Sequence, residues 1–597
     1  MTIKKFEGHS FHIPVMGIGF TIDSPIKVAA FGISSTISLV DDVLLERMRA
    51  FYSEKFSIPY EKITNKVEDS RAKRVTAYLN MVDHIVKEKF EQLKQSIHVK
   101  GGAFEKYMNM LPDYAEIKKQ FNDFVDHNKT IEEIRHWANQ HLQMGSIDVN
   151  IMTKLDKENS FNKEKLPVMY NDAHAALRGF AESKLHSSIV LSAGMNPRLY
   201  SYFEQLDAFF PDENGNLDKK VILKISDYRS ALIQGKFLAK KGIWISEYRV
   251  ESGLNCGGHA FGGDGFLMGP ILEEFNNQKQ ELIDAIHAVY IGALKDKGKP
   301  VPANPLPVKF TAQGGVGTTE EHHFLLEKYQ LDSIGWGTPF LLVPEATSVD
   351  EPTMELLCKA KEEDLFLSSI SPLGVPFNSL RGSTKDAERK EWIAKGRPGS
   401  PCPREFAKLN TEFTEEVICT ASRQYQDIKL KSLQDQNLTQ EDFDAQADLM
   451  MQKTCLCIGL GTSALMVNGM DTRVEGTGVS VCPGPNMAYY SKIVSLETMI
   501  GHIYGKVNLV DNPKRPHMFM KELDLNITFY ENQLKAYLSK PTESMRKQMA
   551  NMAKNIQNGI DYYRELFAHK SELILQQLDE RCMQLEYLVK EPELLVL

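Results

Sequence analysis

The chain has no run of eighteen or more apolar residues, although 42% of it is hydrophobic. A helix that crosses a bilayer is therefore not expected. The opening stretch, MTIKKFEGHSFHIP, is too short and polar to read as a signal peptide, so a cytoplasmic location is the expectation. An excess of positive charge is missing too, since 70 Lys and Arg stand against 79 Asp and Glu for a net charge of −9. That balance argues against a nucleic-acid surface. Cysteine is sparse, with 8 in 597 residues, and neither a C-x2-C-x2-C run nor paired C-x2-C motifs occur. Such a chain is not built on disulfides; reduced thiols or metal ligands remain as readings.

What is present is a β/α alternation interrupted once. HIPVMGIG, from His12 to Gly19, reads as a buried strand ending in glycines. SPIKVAAFG reads as a helix with Ser24 as cap and Pro25 in the first turn, closed by Gly32. STISLV is a second strand. From Val43 to Gly145 long amphipathic helices replace the alternation; Thr130 and Glu133 form a capping box there. Strands resume at IDVNIM, SSIVL, VILKIS and GIWISEYRVE, followed by the glycine-rich loop SGLNCGGHAFGGDG. VKFTA and SIGWG bring the count to eight.

Eight alternating units with glycine and polar residues after the strands predict an α/β fold, a (β/α)8 TIM barrel. A doubly wound open sheet is the structural alternative. The expected division is 1–42 and 146–372 for the barrel, 43–145 for a helical insertion after strand 2, 373–488 for a loop-rich region containing cysteines, and 489–597 for a C-terminal helical extension. The last two strands end in Gly314-Gly315 and Gly337-Thr338. Glycine turns at these positions, with helix N-termini behind them, predict a phosphate seat.

The order of IPVMGIG, DVNIM, CGGH, TAQGGVGT and GWGTPFL resembles the nitronate monooxygenase (2-nitropropane dioxygenase) family of FMN-binding TIM barrels, relatives of the FMN-dependent enoyl reductases. The resemblance covers roughly residues 11–359 and implies a flavin-dependent oxidoreductase with FMN as cofactor. It implies Met16 and Gly17 against the flavin ring, Asn150 as a hydrogen-bonding partner and Lys224 near the ring's electron-accepting edge. Gly257 and Gly258 would line the site, and Gly314, Gly315, Gly337 and Thr338 would hold the phosphate. His259, in the GGH turn, matches the family's active-site histidine and would be the acid/base. The stretched loop ESGLNCGGHAF, Trp336 and Pro339 depart from the family pattern and leave the substrate open.

The expected partners are a small-molecule substrate and NAD(P)H or an electron-transfer protein, with assembly into a homo-oligomer. Reduction of an enoyl thioester or quinone is the alternative activity, and a non-catalytic scaffold is the alternative of another class. Cys402, Cys419, Cys455, Cys457 and Cys482 cluster in the C-terminal third and suit a [4Fe–4S] centre or zinc; buried free thiols are the competing reading. Arg381, Arg397 and Arg423 are placed to reach an anion or to stay solvated at the surface. The Glu320-Glu321-His322-His323 run reads as a polar helix start, because adjacent residues do not share a helix face.

Overall fold

Eight short apolar segments, each bounded by glycine or polar residues, pair in parallel and close on themselves. The strands are β1 (Phe11–Ile13), β2 (Ser34–Ser38), β3 (Ile147–Ile151), β4 (Ser188–Leu191), β5 (Lys220–Ile225), β6 (Ile245–Glu251), β7 (Lys309–Gln313) and β8 (Ser333–Gly335). Each pairs with its sequence neighbours, and β8 returns to β1 through Phe11 opposite Ile334, giving a closed (β/α)8 barrel. The computed structural model describes residues 6–594 apart from 128, 162–163, 193, 259–263, 513 and 570.

The registers place polar residues at one end of the cylinder. Ser38 lies opposite Asn150, Asn150 opposite Val190, Lys224 opposite Arg249, and Glu251 opposite Gln313. The C-terminal ends of β2, β3, β5, β6 and β7 therefore carry a polar ring, where barrel enzymes keep their chemistry. Deeper in the cylinder, Glu247 accepts from Arg249 Nε at 2.8 Å and from the Thr311 hydroxyl at 2.6 Å. Burial of this ion pair is offset by those bonds.

The helical insertion between β2 and β3 contains Asp42–Lys55, Ser70–Gln95 and, last, Ile131–His141. The expected capping box forms, with Glu133 N donating to the Thr130 hydroxyl and Thr130 N donating to the Glu133 carboxylate. One local expectation shifts. The helix after β1 starts at Ser24, with Asp23 in the cap position, and the Ser24 hydroxyl donates instead to Ala346 O at 2.6 Å.

Residues 373–488 include the helices Thr384–Ala394, Arg423–Gln434 and Gln440–Met451. Leu365–Ser368 and Phe377–Leu380 form an antiparallel hairpin, and Asn378 N donates to Gly258 O at 2.7 Å, which lays the hairpin over the loop after β6. The helix Leu456–Gly459 leads into Leu460, whose carbonyl accepts from Ile18 N and Gly19 N beyond β1. A Cβ at Gly19 would come within 2.9 Å of Gly461 O, so this approach requires glycine.

Two buried ion networks fasten this last third to the barrel. Arg404 donates to Asp41 at 2.9 Å and to Glu475 at 2.6 Å, and Arg47 also reaches Glu475 at 3.0 Å. Arg515 grips both Glu321 oxygens at 2.7 and 2.9 Å. The Glu320–His323 run is the polar helix start the sequence predicts, in the first turns of the helix Thr319–Tyr329. Glu321 and His322 are buried, and His322 takes the Trp336 indole N–H at 3.1 Å.

The helix Met518–Ser539 brings Glu522 to the loop after β6, and the long helix Glu543–Phe567 buries Met549, Met552, Ile556, Ile560 and Tyr563. That stripe is core. Among the described residues no helix is long and apolar enough to cross a membrane.

Candidate active site at the barrel mouth

A cleft opens over the polar ring. Its floor is Ser38, Asn150, Lys224, Glu251 and Gln313, and its roof is apolar, from Leu373, Val375, Phe377 and Leu460. The cleft is open to solvent on one side. Few polar groups under an apolar cover is the usual make-up of a site for a flat organic ligand.

Lys224 and Glu251 are the charged centre. Lys224 Nζ donates to Glu251 Oε1 at 2.9 Å, with each side chain 13% exposed. The same Glu251 oxygen accepts from Asn255 Nδ2 at 2.7 Å and Gln313 Nε2 at 2.6 Å. Three donors converge on this one oxygen and hold the ammonium in place. Asn150 Nδ2 donates to Val190 O at 3.2 Å, which fixes its amide beside the pair.

A second cleft shares Lys154, Lys224, Ser226, Glu251 and Gly253 with the first and continues past Phe266 to Glu522 and Asn526. The Glu522 carboxylate is 3% exposed and accepts from the Ser252 hydroxyl at 2.6 Å and Met268 N at 2.8 Å. Desolvation by burial pushes its pKa from 4.5 up to about 7. Below pH 4.5 folded and unfolded chains both hold this proton. Between 4.5 and 7 only the folded chain does, so stability falls as pH rises through that window and the loss is complete above it. The total is roughly 3 kcal/mol at 1.36 kcal/mol per unit. Urea titrations at pH 5 and pH 8 are expected to show this drop in the wild type and its absence in Glu522→Gln. An equal drop in both chains would dismiss Glu522 as its source.

The expected site residues separate into two groups. Gly17, Asn150, Lys224 and Gly257 line the mouth cleft. Met16 is fully buried behind it, and Gly258 lies under the Phe377 ring, where a Cβ would come within 2.3 Å. His259 lies outside the described residues. Glu251 and Gln313 were not singled out from sequence, although each is the last residue of its strand, at the end of the barrel that carries the cleft.

Gly314, Gly315, Gly337 and Thr338 follow the ends of β7 and β8, and other parts of the chain pack on them. Gly314 and Gly315 have φ of +105° and +90°, as the turn demands. Leu254 and Asn255 pack on them, and a Cβ at Gly315 would meet Leu254 at 2.6 Å. The segment Cys482–Asn486 enters from above. Gly484 N donates to the Thr338 hydroxyl at 3.1 Å, and Asn486 Nδ2 donates to Gly315 O at 2.7 Å and Val316 O at 2.9 Å. Arg515 Nη2 adds a bond to Gly315 O at 2.8 Å. The sequence predicts an anion in this hollow; the structure puts backbone, an asparagine and a paired arginine there.

The fit of FMN is therefore divided. The mouth cleft suits its ring, but the expected phosphate seat is taken, so the residues do not accept FMN in the pose the resemblance implies.

The five cysteines expected to bind metal do not form one centre. Cys482 lies apart, where its carbonyl accepts from the Cys256 thiol at 3.5 Å. The other four, Cys402, Cys419, Cys455 and Cys457, lie within electrostatic reach of one another. Among the described residues no group of three or more Cys, His, Asp or Glu is placed to hold a metal ion. Of the three arginines, Arg381 lies over Phe366 and Arg423 over Trp392, and neither these nor Arg397 lines the mouth cleft.

No protein-family model matches the chain, and no curated protein matches it significantly. Among solved structures, it is similar to the enoyl reductase domain of MlnA from the macrolactin biosynthesis cluster of Bacillus amyloliquefaciens. The two are 13% identical over 72% of this chain and 87% of that domain, with a TM-score of 0.30. The barrel itself rests on the closed strand order given above.

Proposed function

We propose that the chain is an oxidoreductase that binds a flavin ring and its substrate in the mouth cleft. The observation that carries this reading is the Lys224–Glu251 pair set under an apolar roof at the C-terminal ends of β5 and β6. A fixed ammonium in a water-poor site stabilises negative charge that develops on a bound ring or enolate. The resemblance supplies flavin as the redox group, which carries out the electron transfer when bound. Reduction of an enoyl thioester is favoured over nitronate oxidation by one feature. The second cleft runs on from the shared wall of Lys224 and Glu251, giving an elongated acyl chain somewhere to lie.

Flavin release on denaturation tests the first half of the proposal, and a chain that neither carries nor takes up any flavin would end it. Because the hollow at Gly315 and Thr338 is filled, riboflavin and FMN are expected to bind with similar affinity, within about threefold. A seated phosphate receiving charge-assisted hydrogen bonds contributes about 1.5–3 kcal/mol per bond, or at least tenfold. Fluorescence titration with both flavins decides. FMN preferred by a hundredfold would mean that residues 482–486 yield to the phosphate.

A further inference from the structure

A third cavity lies between the hairpin Leu365–Leu380 and the helix Met518–Ser539. Its wall is largely apolar, from Phe366, Leu367, Pro483, Pro485, Leu525 and Phe529. Helical spacing puts Lys521, Leu525 and Phe529 on one stripe of that helix and Glu522 and Asn526 on the next. The first stripe lines the hairpin cavity, and Asn526 lines both this cavity and the second cleft. Polar groups at the edge are already paired. Lys521 donates to Glu362 at 2.6 Å, and the Tyr489 hydroxyl donates to the same carboxylate at 2.7 Å. The Ser368 and Ser379 hydroxyls share a bond of 2.7 Å, and Asn526 Nδ2 donates to Glu522 O at 3.0 Å. What remains for a ligand is apolar contact, and Leu367 and Leu525 stay 46% and 36% exposed. Gly253 borders all three cavities. A Cβ built on it meets nothing within 4 Å, so the space beside it is open. Its neighbours are fixed, Glu251 by Lys224 at 2.9 Å and the Ser252 hydroxyl by Glu522 at 2.6 Å.

We propose that the hairpin cavity holds the methyl end of an elongated acyl chain and that Gly253 sets the chain length the site accepts. The proposal rests on the reading of the mouth cleft as the place of the substrate's reacting end. The polar head stays with Lys224 and Glu251, and the chain passes Gly253, where the missing side chain leaves it room. Its far end lies against Phe366, Leu525 and Phe529. An apolar chain is the occupant because Lys521 and Glu362 neutralise each other at the rim, leaving no charge to recognise an anion or a cation. Each methylene that leaves water there strengthens binding by about fourfold, so length is read by an apolar wall and not by hydrogen bonds. A side chain at Gly253 would project into the passage at little conformational cost, since its φ lies outside the left-handed region.

The test is isothermal titration calorimetry of the full chain with the hexanoyl and dodecanoyl thioesters of N-acetylcysteamine. Wild type is expected to bind the dodecanoyl thioester about tenfold or more tighter, the gain that about two buried methylenes already give. Gly253→Leu should bring the two affinities to within about threefold of each other, less than one buried methylene contributes. Leu525→Asp should do the same from the far wall; it changes a partly exposed helix position, so the outcome does not hang on the folding of one variant. Equal binding of the two thioesters by wild type overturns the proposal, and so does a folded variant of either kind that keeps the wild-type ratio. Flavin content of the same preparations separates this result from the redox reading. A flavin-free chain that tells the two lengths apart through Gly253 keeps the acyl site and loses the oxidoreductase. A flavin-bearing chain that binds both lengths equally loses the acyl site alone.

Discussion

Lys224→Met is expected to lower turnover by about 10²–10³, the effect of removing one preorganised group that stabilises developing charge. NAD(P)H oxidation with an enoyl thioester or a quinone as acceptor would read it. The same change leaves Glu251 buried with two amide donors and no cation, and breaking a buried pair from one side costs about 3–5 kcal/mol. The two effects separate in the double variant. Adding Glu251→Gln removes the stranded charge and is expected to recover most of the stability and none of the turnover. If it recovers both, the lysine serves only to neutralise its partner, and the oxidoreductase proposal loses its main support.

Arg404→Met should produce the largest loss of stability in the molecule. Its guanidinium is 7% exposed and lies between Asp41 at 4% and Glu475 at 5%. Without it, two carboxylates remain buried close together, with only Arg47 reaching Glu475. The cost expected from a one-sided break is about 3–5 kcal/mol, and like-charge repulsion adds to it. Burial already pushes the Asp41 pKa up, so the carboxylate depends on the arginine for its charge. Urea unfolding should shift accordingly, and Asp41→Asn in the Arg404→Met background should restore part of the loss. A single variant within 1 kcal/mol of wild type would mean that this network does not hold the last third in place.

The barrel was readable because its strands are short apolar runs closed by glycine or polar residues, a pattern that parallel, doubly buried strands impose. VILKI and IDVNI also carried their cleft-lining residues in plain view, since Lys224 and Asn150 interrupt apolar runs at the strand ends. Glu251 and Gln313 have the same position and were passed over, because no motif marks them apart from an ordinary strand end. The hairpin at Leu365–Leu380 was missed for a different reason: SISPLGVP between its strands reads locally as breakers. The filled hollow at β7 and β8 could not be seen at all. Its occupants, Gly484, Asn486 and Arg515, lie more than 140 residues beyond Gly337, and nothing in local periodicity links them.

The first strand is tied to a tyrosine five hundred residues away, for Ser10 N donates to the Tyr504 hydroxyl at 3.2 Å and the His9 ring meets the same oxygen at 3.0 Å. On a ribosome adding roughly 5–20 residues per second, that partner appears about 25–100 s after β1 is made. Once β8 ends at Gly335, the nascent barrel has all its strands but for roughly 8–34 s lacks the segments that seal its upper rim, so its apolar lining is open to holdase chaperones. Synthesis speed over the last third thus becomes a determinant of yield, and slow codons there should lower the soluble fraction more than slow codons within the barrel.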